Sequence, residues 1–182
     1  HKSGFWAVGP AIDQVKIALA DLFKQNNITV CSSGYSALFI SIKALGISGQ
    51  KIILPCISTC FAISNAIIAS GNIPVFCDVH PEDGNCDKGH VSLLVKEQSI
   101  RYIISPNHAG NLSAVSYFKN ELKLTVIEDG CQSFFSSQKK SSEADARVFS
   151  FYPTKGMNGI DGGAILTANK SIAEKAEQLV YY

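Results

Sequence analysis

The stretch Ala146-Arg-Val-Phe-Ser-Phe-Tyr-Pro-Thr-Lys155 decides the fold. Ala146 to Ser150 reads as a buried strand, because valine and phenylalanine favour a pleated surface. Pro153 stops it, and a lysine follows at once. Four glycines come next, at 156, 159, 162 and 163. They let backbone approach a ligand closely. Gly163-Ala-Ile-Leu-Thr167 then reads as another strand. Upstream, Leu124-Thr-Val-Ile-Glu128 is a strand whose end carries Asp129.

Working outward, the same grammar repeats. Lys51-Ile-Ile-Leu54, Pro74-Val-Phe-Cys-Asp78 and Arg101-Tyr-Ile-Ile-Ser105 are short strand-like runs, two of them stopped by proline. Leu38 to Leu45, Phe61 to Ser70, Val91 to Lys96 and Val115 to Leu122 have helical spacing. Strands alternating with helices predict an α/β fold, a mostly parallel sheet covered on both faces. Ligands on such sheets gather at the carboxyl ends of strands, where Asp129 and Ser150 fall. Ser171 to Tyr182 predicts a final helix with Ile172, Ala176, Leu179 and Val180 on one face. No glycine, asparagine or proline stops it, so the reading expects a fragment of a longer protein.

Composition bounds the function. The chain has 182 residues, 46% hydrophobic and 17% charged, enough for a sizeable core. Sixteen basic and fifteen acidic residues leave a formal charge of +1, which gives no platform for nucleic acid or anionic lipid. No apolar run is long enough to span a bilayer, and no leader-like pattern opens the chain. Six cysteines, at 31, 56, 60, 77, 86 and 131, form no CxxC pair, and Cys56 and Cys60, four apart, have no histidine near them to complete a zinc set. Four of them lie in or beside apolar runs and read as small apolar residues; the usage fits a reducing cytoplasm, with no metal expected.

One lysine, one aspartate and a nearby serine are what pyridoxal phosphate (PLP) requires. A lysine amine forms a Schiff base with the cofactor aldehyde. A carboxylate pairs with the pyridine nitrogen, and a hydroxyl reaches the phosphate. Each residue also has a plainer reading. Lys155 alone is a surface amine, Asp129 a helix cap, and Ser32-Ser33 a serine-rich cap for the helix beginning near Leu38. Glu128 points to the face opposite Asp129 and reads as structural. His108 stands past a strand end, as a site residue or a structural one. Phe151 and Tyr152 read as packing residues, with Tyr152 in reach of the site.

In order, five stretches resemble the DegT/StrS family of PLP-dependent nucleotide-sugar aminotransferases. They are Ser33-Gly-Tyr-Ser-Ala-Leu38, Ile53-Leu-Pro55 with Asn65-Ala-Ile67, Pro74-Val-Phe-Cys-Asp-Val79 with Gly84-Asn85, Val126-Ile-Glu-Asp-Gly-Cys-Gln-Ser133, and Phe149-Ser-Phe-Tyr-Pro-Thr-Lys155. The resemblance implies a three-layer α/β/α large domain of the aspartate aminotransferase type over residues 31–182. A helical segment would precede it over 1–30, and a small C-terminal domain would be missing. It implies that Lys155 binds the cofactor aldehyde and shuttles the substrate proton. Asp129 would pair with the ring nitrogen and Gln132 lie near the 3-oxygen. Ser150 and the turn Gly34, Tyr35, Ser36 would hold the phosphate. Cys60, or Phe61 beside it, would stack on the ring.

The reaction so implied moves an amino group from an amino acid, glutamate, to a keto sugar nucleotide, in a homodimer. Lysine at 155 implies transamination rather than dehydration. The chain departs from the family pattern in Tyr35, where threonine is usual, and in the shortened His108-Ala-Gly110. Against the enzyme stands a second reading: a non-catalytic relative that keeps the fold as a binding or regulatory module.

Overall fold

A computed structural model describes residues 9–57, 59–138 and 141–181. In chain order the elements are α1 (Pro10–Phe23), β1 (Asn27–Cys31), α2 (Gly34–Ala44), β2 (Lys51–Pro55), α3 (Ala62–Ala69) and β3 (Ile73–Cys77). Then come α4 (Lys88–Gln98), β4 (Tyr102–Pro106), α5 (Val115–Asn120), β5 (Thr125–Asp129), α6 (Phe134–Gln138), β6 (Ala146–Ser150), β7 (Gly163–Thr167) and α7 (Lys170–Tyr181). The seven strands form one sheet in the order β1-β7-β6-β5-β4-β2-β3. The pairs β3–β2–β4–β5–β6 are parallel, and β7 runs antiparallel to both β6 and β1. The expected α/β architecture, mixed and mostly parallel, is the observed one.

Alternation along each strand makes the three layers. Ile52, Leu54, Ile104, Ile127, Val148 and Ile165 pack with Leu38 and Ile42 of α2, Ile63 and Ile67 of α3, and Ala176 of α7. Their neighbours face the other way: Ile53, Ile103 and Val126 meet Val91 and Leu94 of α4 and Phe118 of α5. Phe149, Ala164 and Leu166 meet Leu19 of α1 and Phe134 of α6. Such strands are buried on both faces, and so their sequences are nearly continuous apolar runs.

Local signals explain several boundaries. Asp87 caps α4, its Oδ1 accepting from His90 N at 2.7 Å, so the helix starts ahead of the expected Val91. Gly71, at φ +82°, follows the end of α3 as the sequence requires. The expected helical segment over 1–30 holds α1 and all but the last residue of β1; residues 1–8 lie outside the described ones. In α7, Ile172, Ala176 and Val180 pack on the core as expected. Leu179 departs from that reading: it is 41% exposed, because the covered stripe is narrower than the apolar one.

Candidate active site

Strands β1 and β2 to β6 all end at one edge of the sheet. There α2 begins, with Ser33 as its cap: Ser36 N donates to Ser33 Oγ at 3.1 Å. The Ser36 hydroxyl lies 2.9 Å from that of Ser32 and 3.0 Å from that of Ser33. Gly34 opens the helix and is buried. A methyl group there would lie 2.6 Å from Ser150 Cβ and 3.3 Å from Cys131 Sγ, so only glycine fits. The end of β6 is thereby brought against the first turn of α2, whose free amides favour an anion.

Asp129 ends β5 on the same face as Ile127, toward α2, and is 7% exposed. Its Oδ1 accepts from Cys131 N at 2.9 Å. Burial pushes the Asp129 carboxyl above the usual range. The Cys131 thiol and N–H, which donate to it, and the charge of Lys155 oppose that rise. Lys155 is partly buried in the turn after β6, its N–H donating to Tyr152 O at 2.9 Å. The structure therefore gathers Asp129, Lys155, Ser150 and Gly34 at one edge, as the sequence reading expects.

The remaining expected residues are placed less uniformly. Gln132 follows Asp129 by three positions, and its Oε1 accepts from Ala109 N at 2.9 Å. Tyr35, on the first turn of α2, is 40% exposed. Cys60 is exposed yet near enough to Cys131 to act on it electrostatically. Phe61, at the start of α3, is 76% exposed. His108 lies against Gly84, beyond the end of β4. Phe151 packs as expected in the cluster with Phe134 and Phe149, whereas Tyr152 is exposed.

Cys131 is the site residue that composition concealed. Its thiol touches both Asp129 and the place where Gly34 lacks a side chain. Burial, then the Asp129 charge, push that thiol well above its usual range, so it remains an S–H donor. The signal for it in the sequence is its place two residues after a strand-ending aspartate.

Behind the sheet, Glu128 occupies the opposite face, as alternation requires. Its carboxylate is buried and takes Arg147 Nε at 2.8 Å, Asn107 Nδ2 at 2.6 Å and the Ser142 hydroxyl. Asn107 also donates to Ser133 Oγ at 2.9 Å, and its N–H donates to Asp129 O. This network locks β4, β5 and β6 together behind the carboxylate of Asp129.

Among known proteins, the model of the DegT/DnrJ/EryC1/StrS aminotransferase family matches residues 1–182. The chain belongs to this family. Its members are PLP-dependent aminotransferases. The chain is 30% identical, over 99% of its length, to the 3-oxo-glucose-6-phosphate:glutamate aminotransferase of Bacillus subtilis, of which it covers 41%. It is 28% identical, over 94% of its length, to the UDP-4-amino-4,6-dideoxy-N-acetyl-beta-L-altrosamine transaminase of Campylobacter jejuni, covering 47% of that protein. The solved structure of NtdA from Bacillus subtilis, with bound cofactor PMP, superposes with a TM-score of 0.88 at 28% identity, over all of this chain and 42% of that one. This DegT-family chain thus spans under half the length of these relatives. Among the described residues, no helix is long and apolar enough to cross a membrane.

Proposed function

We propose that this DegT-family chain forms the cofactor-binding half of a sugar aminotransferase that takes an amino group from glutamate and gives it to a keto sugar nucleotide. The observation that carries the proposal is the meeting of Asp129, Lys155, Ser150 and Gly34 at one sheet edge. The residues fit pyridoxal phosphate. A buried carboxylate is costly without a cation, and a protonated pyridine nitrogen supplies one. The cradle of Gly34, Ser150 and the α2 amides has the polarity of a phosphate site.

The cofactor, when bound, supplies an electron sink for the pair left behind as the substrate Cα–H bond breaks. The protein's part is binding and proton transfer. Asp129 holds the ring nitrogen protonated. Ser150, Gly34, Tyr35 and Ser36 hold the phosphate end. Gln132 would lie near the 3-oxygen. Lys155 Nζ anchors the cofactor, then carries a proton from the substrate Cα. Cys60, or Phe61 beside it, would lie at the ring face.

The relatives named above support the substrate class, two being transaminases of sugars, one with glutamate in its name. We assign the whole protein to a homodimer, since Ile57, Phe61, Tyr152 and Ile160 leave apolar surface exposed near the site. Six free thiols fit a reducing cytoplasm. A non-catalytic role draws its support from Tyr35 and the short His108–Gly110 turn.

Addition of PLP to the full-length protein tests this. A visible band absent from Lys155→Ala, with amino-group transfer from glutamate to bound cofactor, is expected. A saturable band without half-transamination would favour the non-catalytic reading; no band at saturating PLP would overturn the enzymatic one.

A further inference from the structure

Gln132 is held by a turn that is itself held. The turn is His108–Asn111, closed by Asn111 N donating to His108 O at 2.9 Å. Within it Ala109 lies at φ +50°, ψ +27°, the left-handed region that a β-carbon disfavours. Such strain persists where neighbours over-determine the backbone, and it clusters at functional sites. Here the neighbour is Asn85.

Asn85 is 4% exposed. One amide clamps both ends of the turn: Oδ1 accepts from His108 N at 2.9 Å, and Nδ2 donates to Asn111 O at 3.2 Å. Asn85 is itself fixed, its N–H donating to Asp83 Oδ1 at 2.9 Å and its carbonyl accepting from His80 N at 2.8 Å. Gly84 before it, at φ +71°, lies so close to the His108 ring that a β-carbon would meet Cδ2 at 2.4 Å.

The consequence falls on Gln132. The Ala109 N–H can only donate, so the Gln132 atom it meets must be the oxygen. That fixes the amide's orientation and leaves its NH2 group free to donate. A donor is what an anionic phenolic oxygen requires; the reversed amide would present an acceptor.

We propose that Asn85 is a positioning residue for the reaction: it clamps the His108–Asn111 turn, whose Ala109 N–H turns the NH2 group of Gln132 toward the cofactor's 3-oxygen. The inference rests on the cofactor site proposed above. Asn85 touches neither substrate nor cofactor and acts through Ala109.

The test is a double-mutant cycle in the full-length protein with added PLP, reading the pH midpoint of its visible band. Gln132→Ala shifts that midpoint by about half a unit or more, the size expected for one lost hydrogen bond to a charged group. Asn85→Ala shifts it in the same direction, and Asn85→Ala/Gln132→Ala goes no further than Gln132→Ala alone. A purely structural Asn85 would lower the melting temperature and leave the midpoint in place, which overturns the inference; so would additive shifts. Should Asn85→Ala fail to fold, Asn85→Ser is read in its stead. Exchange of the Ala109 amide proton in the cofactor-free protein provides a second readout. It quickens in Gln132→Ala and in the Asn85 variant, and unchanged exchange in the Asn85 variant overturns the clamp. A wild-type protein with no band would overturn the cofactor site as well.

Discussion

Gly34 and Ser150 stand so close that a β-carbon on the first would overlap the second at 2.6 Å. The glycine is therefore a steric requirement of joining β6 to α2. Gly34→Ala must push β6 and α2 apart, and overpacking of this kind costs about 1–3 kcal/mol. The same displacement opens the phosphate cradle. We expect a lowered melting temperature together with at least a tenfold weaker PLP dissociation constant by absorbance titration. Ser150→Ala, which removes one hydroxyl and adds no bulk, should weaken PLP while leaving the melting temperature near wild type. Equal melting temperatures for Gly34→Ala and wild type would disprove the contact.

Asp129 makes the cofactor-free protein pH-sensitive. Its carboxyl is raised in the folded state, so folding there favours the protonated form. Stability from this group is complete below the unfolded aspartate value, about 3.9, and is lost as pH rises through the folded value. At neutral pH the buried charge opposes folding. Asp129→Asn should therefore melt above wild type near pH 7 without cofactor, the gap closing as the pH falls below that of a free aspartate. With PLP added the order should reverse, because asparagine offers no charge to the pyridinium. Calorimetry with and without PLP at two pH values checks both signs.

Much of this arrangement was legible in the chain, for a physical reason. Strands such as Ile52-Ile-Leu54 and Val126-Ile127 are buried on both faces, so the apolar run and the proline or acid that ends it are local. Strand ends on a parallel sheet then place Asp129, Ser150 and Lys155 at one edge. Long-range relations left no such trace. The pairing of Glu128 with Arg147 joins two strands, and neither residue's neighbours announce it. Cys131 meets Gly34, and Asn85 meets His108, only because the sheet folds distant turns together. Leu179 shows the opposite error: a helical apolar stripe wider than the surface available to cover it.

The Glu128–Arg147 pair is buried, with side chains 3% and 9% exposed. Arg147→Met would leave a buried carboxylate without its cation, a change that typically costs 3–5 kcal/mol, or about 6–20 °C in a domain of this size. Asn107 and Ser142 continue to hydrogen-bond the carboxylate, which places the expected loss at the lower end. By contrast Lys170 and Glu174 form an exposed pair at 3.7 Å along α7. Lys170→Ala should change stability by about 0.5 kcal/mol or less. Urea denaturation of the two variants side by side gives the comparison, and equal losses would contradict the assigned burial.

Alkylation should rank the cysteines by environment. The thiolate is the nucleophile, so burial protects a thiol twice, by denying access and by raising its pKa. Cys56 and Cys60 are exposed. Cys31 is buried and pushed up to about 11, chiefly by that burial. Cys131 is raised further from reactivity by burial and by the Asp129 carboxylate beside it. With iodoacetamide at pH 8, peptide mapping should find Cys56 and Cys60 modified first, the partly covered Cys131 later, and Cys31 only on unfolding. Asp129→Asn removes one of the influences on Cys131 and should quicken its modification without affecting Cys31. Early labelling of Cys131 in the wild-type protein would break the hydrogen bond from which Asp129 takes part of its support.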